Sequence, residues 1–253
     1  MNKENKIFVF DFDGVICDST NECLINSLNS YYLHSNNKKN NITDLNEIDE
    51  KLVNNFKIIR PYIKGAKEYL KFYDYYFNNQ DINIDNFINY ENLSLDYNRY
   101  SNIFYSEREN LKKNNLRRWV KLNFVFNDLI NFLNSLEFYF IATLKDKESV
   151  IDIMSYNRIN IFEEKIYDFK KINSKLEALD IIKEKYKYNK KDLIFVDDNA
   201  YHLIDPKNNG YKVYLSNWAN LNNDKHIEIA IENKIDILDD VNNLYEKNSR
   251  HTS

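Results

Sequence analysis

Short apolar runs, separated by segments of helical period, are the dominant pattern of this chain. The clearest runs are rich in β-branched and aromatic residues and lie at 6–10, 138–142, 193–196 and 212–215, with a weaker run at 166–169. Runs of this length without a helical period are typical of buried strands. Because helical segments lie between them, the pattern predicts an α/β fold with a doubly wound parallel sheet.

The stretch from about residue 20 to about residue 125 follows a different pattern. It carries repeated helical periods and no comparable buried run. Two apolar stripes are clear, one at Leu52, Val53, Phe56 and Ile59 and the other at Ala66, Tyr69, Leu70 and Tyr73. Pro61 and Gly65 punctuate the junction between the stripes, where one helix must stop and another begin. We therefore predict a helical insertion between the first strand and the rest of the sheet.

Composition narrows the classes of protein that this chain can belong to. Its 253 residues suffice for one large α/β domain with an insertion, and 35 basic against 39 acidic residues give a net charge of −4. This charge excludes the global basic field of a nucleic-acid-binding protein. Two cysteines and the absence of a long apolar span indicate a cytoplasmic protein without a membrane partner. The oligomeric state stays open.

An acidic turn follows the first apolar run, with the sequence Asp-Phe-Asp-Gly from Asp11 to Gly14. In extended or turning backbone, side chains two residues apart project to the same side, so Asp11 and Asp13 can converge beyond the strand. Two carboxylates held together repel each other unless a cation or a shared proton intervenes. Gly14 suits a loop that turns tightly near a ligand. Taken alone, the motif also fits an acidic turn that merely ends a strand.

A second acidic pair, Asp197 and Asp198, follows the apolar run at 193–196. Because the carboxyl ends of parallel strands share one edge of a sheet, this pair meets Asp11 and Asp13 if the two strands are neighbours. Several carboxylates, with neither a thiolate nor an imidazole among them, favour Mg²⁺ over zinc. On its own, such a pair is more often a solvated helix cap.

Two further polar residues fit a phosphate ligand. Thr143 ends the run at 138–142, where its hydroxyl can donate to a phosphoryl oxygen or cap the following helix. Lys175 opens a helical segment, a place where a cation is unfavourable with the helix dipole unless an anion lies nearby. Lys170 and Lys171 compete with Lys175 for this role, and each of the three also fits a solvated lysine.

Together these residues resemble the motifs of the haloacid dehalogenase superfamily of hydrolases, in its phosphoglycolate phosphatase-like and β-phosphoglucomutase-like branches. The resemblance rests on Asp-x-Asp-Gly-x-x-x-Asp-Ser at 11–19, on Thr143 and Lys175, and on the pair Asp197 and Asp198, in the order of the superfamily. It implies a Rossmann-like catalytic core at 1–19 and 126–253 and an α-helical cap at 20–125.

The resemblance also implies a role for each residue. Asp11 would attack phosphorus and become an aspartyl-phosphate, while Asp13 would protonate the leaving oxygen and later deprotonate water. Thr143 and Lys175 would bind the phosphoryl oxygens. The expected ligands of Mg²⁺ are Asp11, Asp13 through its backbone carbonyl, Asp197 and Asp198. We therefore expect a Mg²⁺-dependent phosphatase that hydrolyses a phosphate monoester of a small metabolite.

Three other functions share some of these motifs with a phosphatase. A phosphomutase shares every motif and differs only in whether a sugar or water receives the phosphoryl group. A phospho-receiver domain also gathers an acidic pair, an acceptor Asp, a Thr and a Lys, but its acidic pair precedes the acceptor, whereas here Asp11 precedes Asp197. A non-catalytic binding protein on the same scaffold is disfavoured because both Asp11 and Asp13 are present. The substrate itself stays open.

Overall fold

The computed structural model describes residues 6–36, 42–79, 82–219 and 224–249. The strands of this part are, in chain order, β1 (Ile7–Phe10), β2 (Cys17–Asp18), β3 (Phe124–Val125), β4 (Phe140–Ala142), β5 (Ile166–Tyr167), β6 (Leu193–Asp197), β7 (Lys212–Ser216) and β8 (Asp236–Leu238). The α-helices of the same part are α1 (Thr20–His34), α2 (Glu50–Ile59), α3 (Ala66–Asn78), α4 (Ile84–Asn89), α5 (Tyr97–Lys121), α6 (Asn127–Ser135), α7 (Lys147–Tyr156), α8 (Lys175–Tyr186), α9 (Ala200–Asn208), α10 (Asp224–Glu232) and α11 (Asn242–Ser249). Within the described ranges, none of these helices has the length and apolar content needed to cross a membrane.

Six strands form one parallel sheet in the order β5, β4, β1, β6, β7, β8. β1 pairs with β6 along its whole length, from Ile7 opposite Leu193 to Phe10 opposite Val196, and it pairs with β4 on its other side. Because the strands are parallel, β1, β4 and β6 all end at the same edge of the sheet. The predicted fold class is confirmed, and every predicted apolar run contains a strand.

The central strand β1 shows why the apolar runs lack alternation. Ile7 and Val9 belong to a core that includes residues of α8 and α9. Phe8 and Phe10 pack with α6, where their rings lie edge-on to Phe132 at centroid distances of 5.3 and 6.4 Å. A strand covered by helices on both faces needs an apolar residue at every position. The sheet is therefore doubly wound.

Residues 19–123 form a compact unit of their own, which we call the helical unit. Its described residues contain α1 to α5 and no strand. The two predicted apolar stripes lie on α2 and α3 and contribute to a core rich in aromatic rings, in which Tyr69 stacks on Phe56 at 5.8 Å and on Phe104 at 5.2 Å. Pro61 lies in the 3-10 turn that follows α2, and Gly65 directly precedes α3.

Residues 1–18 and 124–253 form the second compact unit, which we call the sheet unit. Its boundaries differ slightly from the predicted 1–19 and 126–253. Ser19 belongs to the helical unit, directly before α1, whereas Phe124 and Val125 form β3 and pair antiparallel with Cys17 and Asp18 of β2. Strands of two residues are too short to give a recognisable apolar run, so the sequence pattern could not reveal this ribbon.

Candidate active site

Residues from several loops of the sheet unit meet at the carboxyl edge of its sheet. Asp11 directly follows β1, and its backbone N–H donates to the carbonyl of Val196 at 2.8 Å. Thr143 directly follows β4, and its backbone N–H donates to the carbonyl of Tyr167 at 2.9 Å. Asp197 is the last residue of β6. Adjacent strand ends therefore bring together these three residues, as their positions in the sequence predict.

Lys175 lies between the two buried carboxylates of this edge. Its Nζ is 2.7 Å from Oδ1 of Asp11 and 3.5 Å from Oδ2 of Asp197. It also donates to the backbone carbonyl of Ala142 at 2.6 Å, which anchors the side chain to the end of β4. Lys175 is the first residue of α8, and the hydroxyl of Ser174 caps this helix by accepting from the N–H of Glu177.

The two competing lysines are engaged elsewhere. Lys170 is exposed, and its Nζ lies 3.2 Å from a carboxylate oxygen of Glu148. Lys171 donates from Nζ to the backbone carbonyl of Ile166 at 2.9 Å. Of the three lysines considered from the sequence, Lys175 is therefore the one that contacts Asp11 and Asp197.

Burial and charge pull the pKa values of these groups in different directions. Burial raises the pKa of the Asp11 carboxyl to about 6, although Lys175 acts in the opposite direction. Burial also disfavours the charged form of Asp197, but His202 and Lys175 outweigh it and hold the pKa of Asp197 below its usual range. For Lys175, burial is outweighed by Asp11 and Asp197, which raise its pKa. The edge thus holds a charged lysine and a charged Asp197, with Asp11 the more basic carboxylate.

Asp13 contacts a second buried lysine, Lys145, which the sequence reasoning missed. The Nζ of Lys145 lies 3.2 Å from Oδ1 of Asp13, and the lysine side chain is buried. Thr143 shapes this loop, because its Oγ1 accepts from the backbone N–H of Lys145 at 3.0 Å. The available signal was position: Lys145 comes two residues after Thr143, so both side chains can project toward the same edge.

Gly14 allows the acidic loop to approach Asp198. Its φ of +81° lies in the left-handed region, and its backbone N–H donates to the carbonyl of Cys17 at 2.8 Å. A Cβ at this position would overlap the carboxylate of Asp198, which is half-buried. Glycine is therefore required both by the backbone conformation and by the space that the Asp198 side chain occupies.

His202 is a further member of the site that the sequence reasoning missed. It lies in the first turn of α9, and its Nδ1 is 3.3 Å from Oδ1 and 3.2 Å from Oδ2 of Asp197. Potential ligand atoms of Asp11, Asp197 and His202 all lie within 4.8 Å of one another. The expectation that no imidazole belongs to the acidic cluster is therefore wrong. The available signal was a histidine five residues after Asp197, at the start of the following helix.

This donor set fits a divalent cation. Asp11 and Asp197 are buried carboxylates that lie close together, and like charges in this arrangement repel each other unless a cation offsets them. Carboxylate oxygens are ligands for Mg²⁺, Ca²⁺ and Mn²⁺. Lys175 adds fixed positive charge beside Asp11, and Lys145 adds it beside Asp13. The arrangement can therefore hold a metal ion and an anionic substrate at one place.

Solved structures share this fold, although no family model and no curated protein matches the chain. A candidate phosphoglycolate phosphatase from Lactobacillus delbrueckii subsp. bulgaricus is 12% identical, with a TM-score of 0.65 over 96% of this chain and 98% of that one. A protein described as a predicted phosphoglycolate phosphatase from Haemophilus somnus is 15% identical, with a TM-score of 0.62 over 98% and 99%. A haloacid dehalogenase-like family hydrolase from Streptococcus pneumoniae is 15% identical, with a TM-score of 0.59 over 93% and 94%. The fold is thus that of haloacid dehalogenase-like hydrolases, as the motifs predict.

Proposed function

We propose that this protein is a metal-dependent phosphatase of the haloacid dehalogenase superfamily that hydrolyses a phosphate monoester of a small metabolite. One observation carries the proposal: Lys175 contacts both Asp11 and Asp197 at the carboxyl edge of the sheet. A carboxylate that attacks a phosphate dianion needs fixed positive charge to overcome their mutual repulsion. The structures that share the fold include proteins named as phosphatases, which supports the same chemistry.

Mg²⁺ is the metal that we propose for this site. Its ligands would be the carboxylate of Asp11, the backbone carbonyl of Asp13 and the carboxylates of Asp197 and Asp198. When bound, the ion would offset the negative charge of the phosphoryl group and of the carboxylates that surround it. The remaining chemistry belongs to side chains of the chain itself.

Asp11 is the nucleophile in this proposal, and Asp13 is the general acid and base. An oxygen of Asp11 attacks phosphorus, the bond to the ester oxygen breaks, and the leaving oxygen takes the electron pair of that bond together with a proton from Asp13. Water then attacks the aspartyl-phosphate while Asp13 accepts its proton. The bond between phosphorus and Asp11 breaks, which releases inorganic phosphate and restores both carboxyl groups to their initial states.

Three polar side chains support these steps. Thr143 and Lys175 would bind oxygens of the phosphoryl group, and Lys175 also keeps Asp11 ionised by stabilising its charged form. Lys145 acts through Asp13, because its Nζ lies 3.2 Å from Oδ1 of that residue. We therefore assign Lys145 as a positioning residue that orients the acid and base.

The helical unit would serve as a cap over the substrate. Along the chain it follows the acidic loop that carries Asp11 and Asp13 and precedes the rest of the sheet unit. A helical cap can close over a small ligand and exclude water, while it obstructs access for a folded protein. A small phosphorylated metabolite is therefore the substrate class that we propose.

A phosphate-release screen tests this function. The purified protein is incubated with Mg²⁺ and a panel of phosphorylated metabolites, with and without prior chelation of divalent ions. We expect release of inorganic phosphate from at least one compound and loss of that release after chelation, with recovery when Mg²⁺ is restored. Turnover that survives exhaustive chelation would contradict the metal requirement. Transfer of the phosphoryl group between sugar hydroxyls, without release of phosphate, would instead identify a phosphomutase.

A further inference from the structure

We propose that His202 is a nitrogen ligand of the divalent ion at Asp11 and Asp197, and that it shifts the preference of the site from Mg²⁺ toward Mn²⁺. This inference rests on the proposed function, which requires a divalent ion at these carboxylates. Here an imidazole joins the carboxylate ligands and raises the affinity of the site for Mn²⁺ relative to Mg²⁺. His202 is therefore a specificity-determining residue for the metal.

The position of the imidazole is the first observation that supports this assignment. Nδ1 of His202 lies almost equally far from both oxygens of Asp197, at 3.3 and 3.2 Å. These contacts are long for charge-assisted hydrogen bonds, which usually measure about 2.7–2.9 Å. A ring nitrogen that faces both oxygens of a carboxylate at this distance can exchange the hydrogen bond for a shared cation.

The neighbouring contacts fix this geometry on the side of Asp197. The backbone N–H of Asn199 donates to Oδ1 of Asp197 at 2.9 Å, and Lys175 lies 3.5 Å from Oδ2. Asn199 also caps α9, because its side-chain oxygen accepts from the N–H of Tyr201 at 3.0 Å. The same short loop therefore fixes the carboxylate at the end of β6 and the first turn of the helix that carries His202.

The third member of the group is Asp11, so the potential ligand atoms are two carboxylate oxygens and one imidazole nitrogen within 4.8 Å of one another. Mg²⁺ prefers oxygen ligands in a strict octahedral arrangement. Imidazole is a ligand of first-row transition-metal ions, whose affinity for a given site rises from Mn²⁺ toward Cu²⁺. Mn²⁺ shares the preference of Mg²⁺ for carboxylate oxygens, but it accepts a nitrogen ligand more readily. An added nitrogen ligand therefore raises the affinity of the site for Mn²⁺ more than its affinity for Mg²⁺.

Pulsed electron paramagnetic resonance of the protein loaded with Mn²⁺ alone tests the assignment directly. We expect echo modulation from a coordinated nitrogen, which changes to the ¹⁵N pattern when histidine is labelled with ¹⁵N. The modulation should disappear in His202→Asn and His202→Asp. It should persist in His226→Asn, because Nδ1 of that buried histidine on α10 accepts from the N–H of Ala200 at 3.3 Å. The labelled wild-type protein needs no substitution, so its result does not depend on the folding of a variant.

Competitive titration of Mn²⁺ and Mg²⁺ gives a second readout that does not depend on activity. We expect His202→Asp to lower the ratio of Mn²⁺ to Mg²⁺ affinity by about tenfold or more, because it replaces the nitrogen ligand with a carboxylate oxygen that suits Mg²⁺. Loss of even an outer partner of a metal site typically costs about 10- to 100-fold in affinity. Asp205→Asn, which alters an exposed carboxylate of the same helix, should leave the ratio unchanged.

Each contrary result has a definite meaning. If Mn²⁺ binds, and Asp197→Asn weakens it, but no histidine nitrogen couples to the ion, the assignment of His202 is wrong while the proposed function stands. Modulation that persists in both His202 variants would likewise overturn it. If neither Mn²⁺ nor Mg²⁺ binds to the wild-type protein, the inference and the metal requirement of the proposed function both fail.

Discussion

Glu22 in the helical unit and Asp197 in the sheet unit are both buried carboxylates beside a cation. They differ in how fully the neighbouring positive charges offset the negative charge of the site. Glu22 receives two hydrogen bonds from the guanidinium of Arg108, at 2.9 and 3.0 Å, and a third from Nε1 of Trp119 at 3.2 Å. Arg108 also lies over the ring of Phe104. Glu22 and Arg108 thus form a compact buried ion pair that stabilises the contact between α1 and α5.

The sheet unit gathers its charges differently. Asp11 and Asp197 share Lys175, Asp197 also faces His202, and Asp13 is next to Lys145, so several carboxylates gather at one edge of the sheet. Burial raises the pKa of Asp11 to about 6, which reflects the cost of ionising it in this place. Glu22 therefore contributes to folding, whereas we propose that the acidic edge serves a metal ion and a phosphate. Four substitutions test this difference.

Asp11→Asn should have the largest effect of the four, and the loss should be in turnover rather than in stability. Removal of the nucleophile should lower kcat by at least about 10⁴-fold, as loss of a central catalytic group does in other enzymes. Thermal stability should stay the same or rise, because the substitution removes repulsion between Asp11 and Asp197. Phosphate release and thermal unfolding measure the two effects, with Asp205→Asn as the control. Near-normal turnover in Asp11→Asn would show that another residue is the nucleophile.

Glu22→Gln should act on stability instead. It leaves the buried Arg108 without its counter-charge, and loss of one partner of a buried ion pair costs about 3–5 kcal/mol. Urea unfolding of the variant measures this cost. The matched control is Glu148→Gln, whose carboxylate is exposed and lies 3.2 Å from the exposed Lys170, because pairs of this kind contribute about 0–1 kcal/mol. Equal stability losses in both variants would show that the buried ion pair of Glu22 contributes no more than an exposed pair.

Lys175→Ala should lower turnover by about 10²–10³-fold, which is the typical cost of removing one preorganised electrostatic donor. Lys170→Ala and Lys171→Ala should stay close to the wild type, because those side chains contact Glu148 and the backbone of Ile166 instead. Steady-state kinetics of the three variants, each checked for folding, makes the comparison. Loss of activity in Lys171→Ala with a normal Lys175→Ala would assign the phosphate-binding lysine to Lys171.

Lys145→Ala should give the smallest of these effects, a decrease of about 10- to 100-fold in kcat. General acid catalysis as a whole contributes about 10²–10⁴-fold, and Lys145 acts on it indirectly, through Asp13. The decrease should shrink with p-nitrophenyl phosphate, whose leaving group needs little protonation. Lys147→Ala, which removes a partly exposed lysine paired with Glu163, is the control. A decrease of equal size with every leaving group would contradict a role through Asp13.

The comparison of the two carboxylates also shows how far sequence reasoning reaches. Asp11, Thr143 and Asp197 could be predicted to meet, because strand ends are visible as the ends of apolar runs and parallel strands end at one edge. Lys145 and His202 lie beyond those ends, where the direction of a side chain depends on the loop and on the first helical turn. Neither position carries a periodic signal.

The arrangement around Glu22 was not predictable for a different reason. Its partners Arg108 and Trp119 lie 86 and 97 residues away along the chain, on either side of a break in α5 at Asn115. Periodicity describes only the face that one element buries, so it cannot pair charges on two helices. The apolar stripes of α2 and α3, by contrast, are local patterns and lie where they were predicted.

Trapping of the covalent intermediate tests the central claim most directly. Asp13→Asn keeps the nucleophile but lacks the acid for the first step and the base for hydrolysis. With Mg²⁺ and p-nitrophenyl phosphate, whose leaving group needs little protonation, phosphorylated enzyme should therefore accumulate. Acid quenching, reduction of the acyl phosphate with borohydride and peptide mass spectrometry then locate the modified side chain. The account predicts modification at Asp11 and its absence in the variant that also carries Asp11→Asn. Modification at another residue, or phosphate release by the wild type with no trapped intermediate in Asp13→Asn, would contradict it.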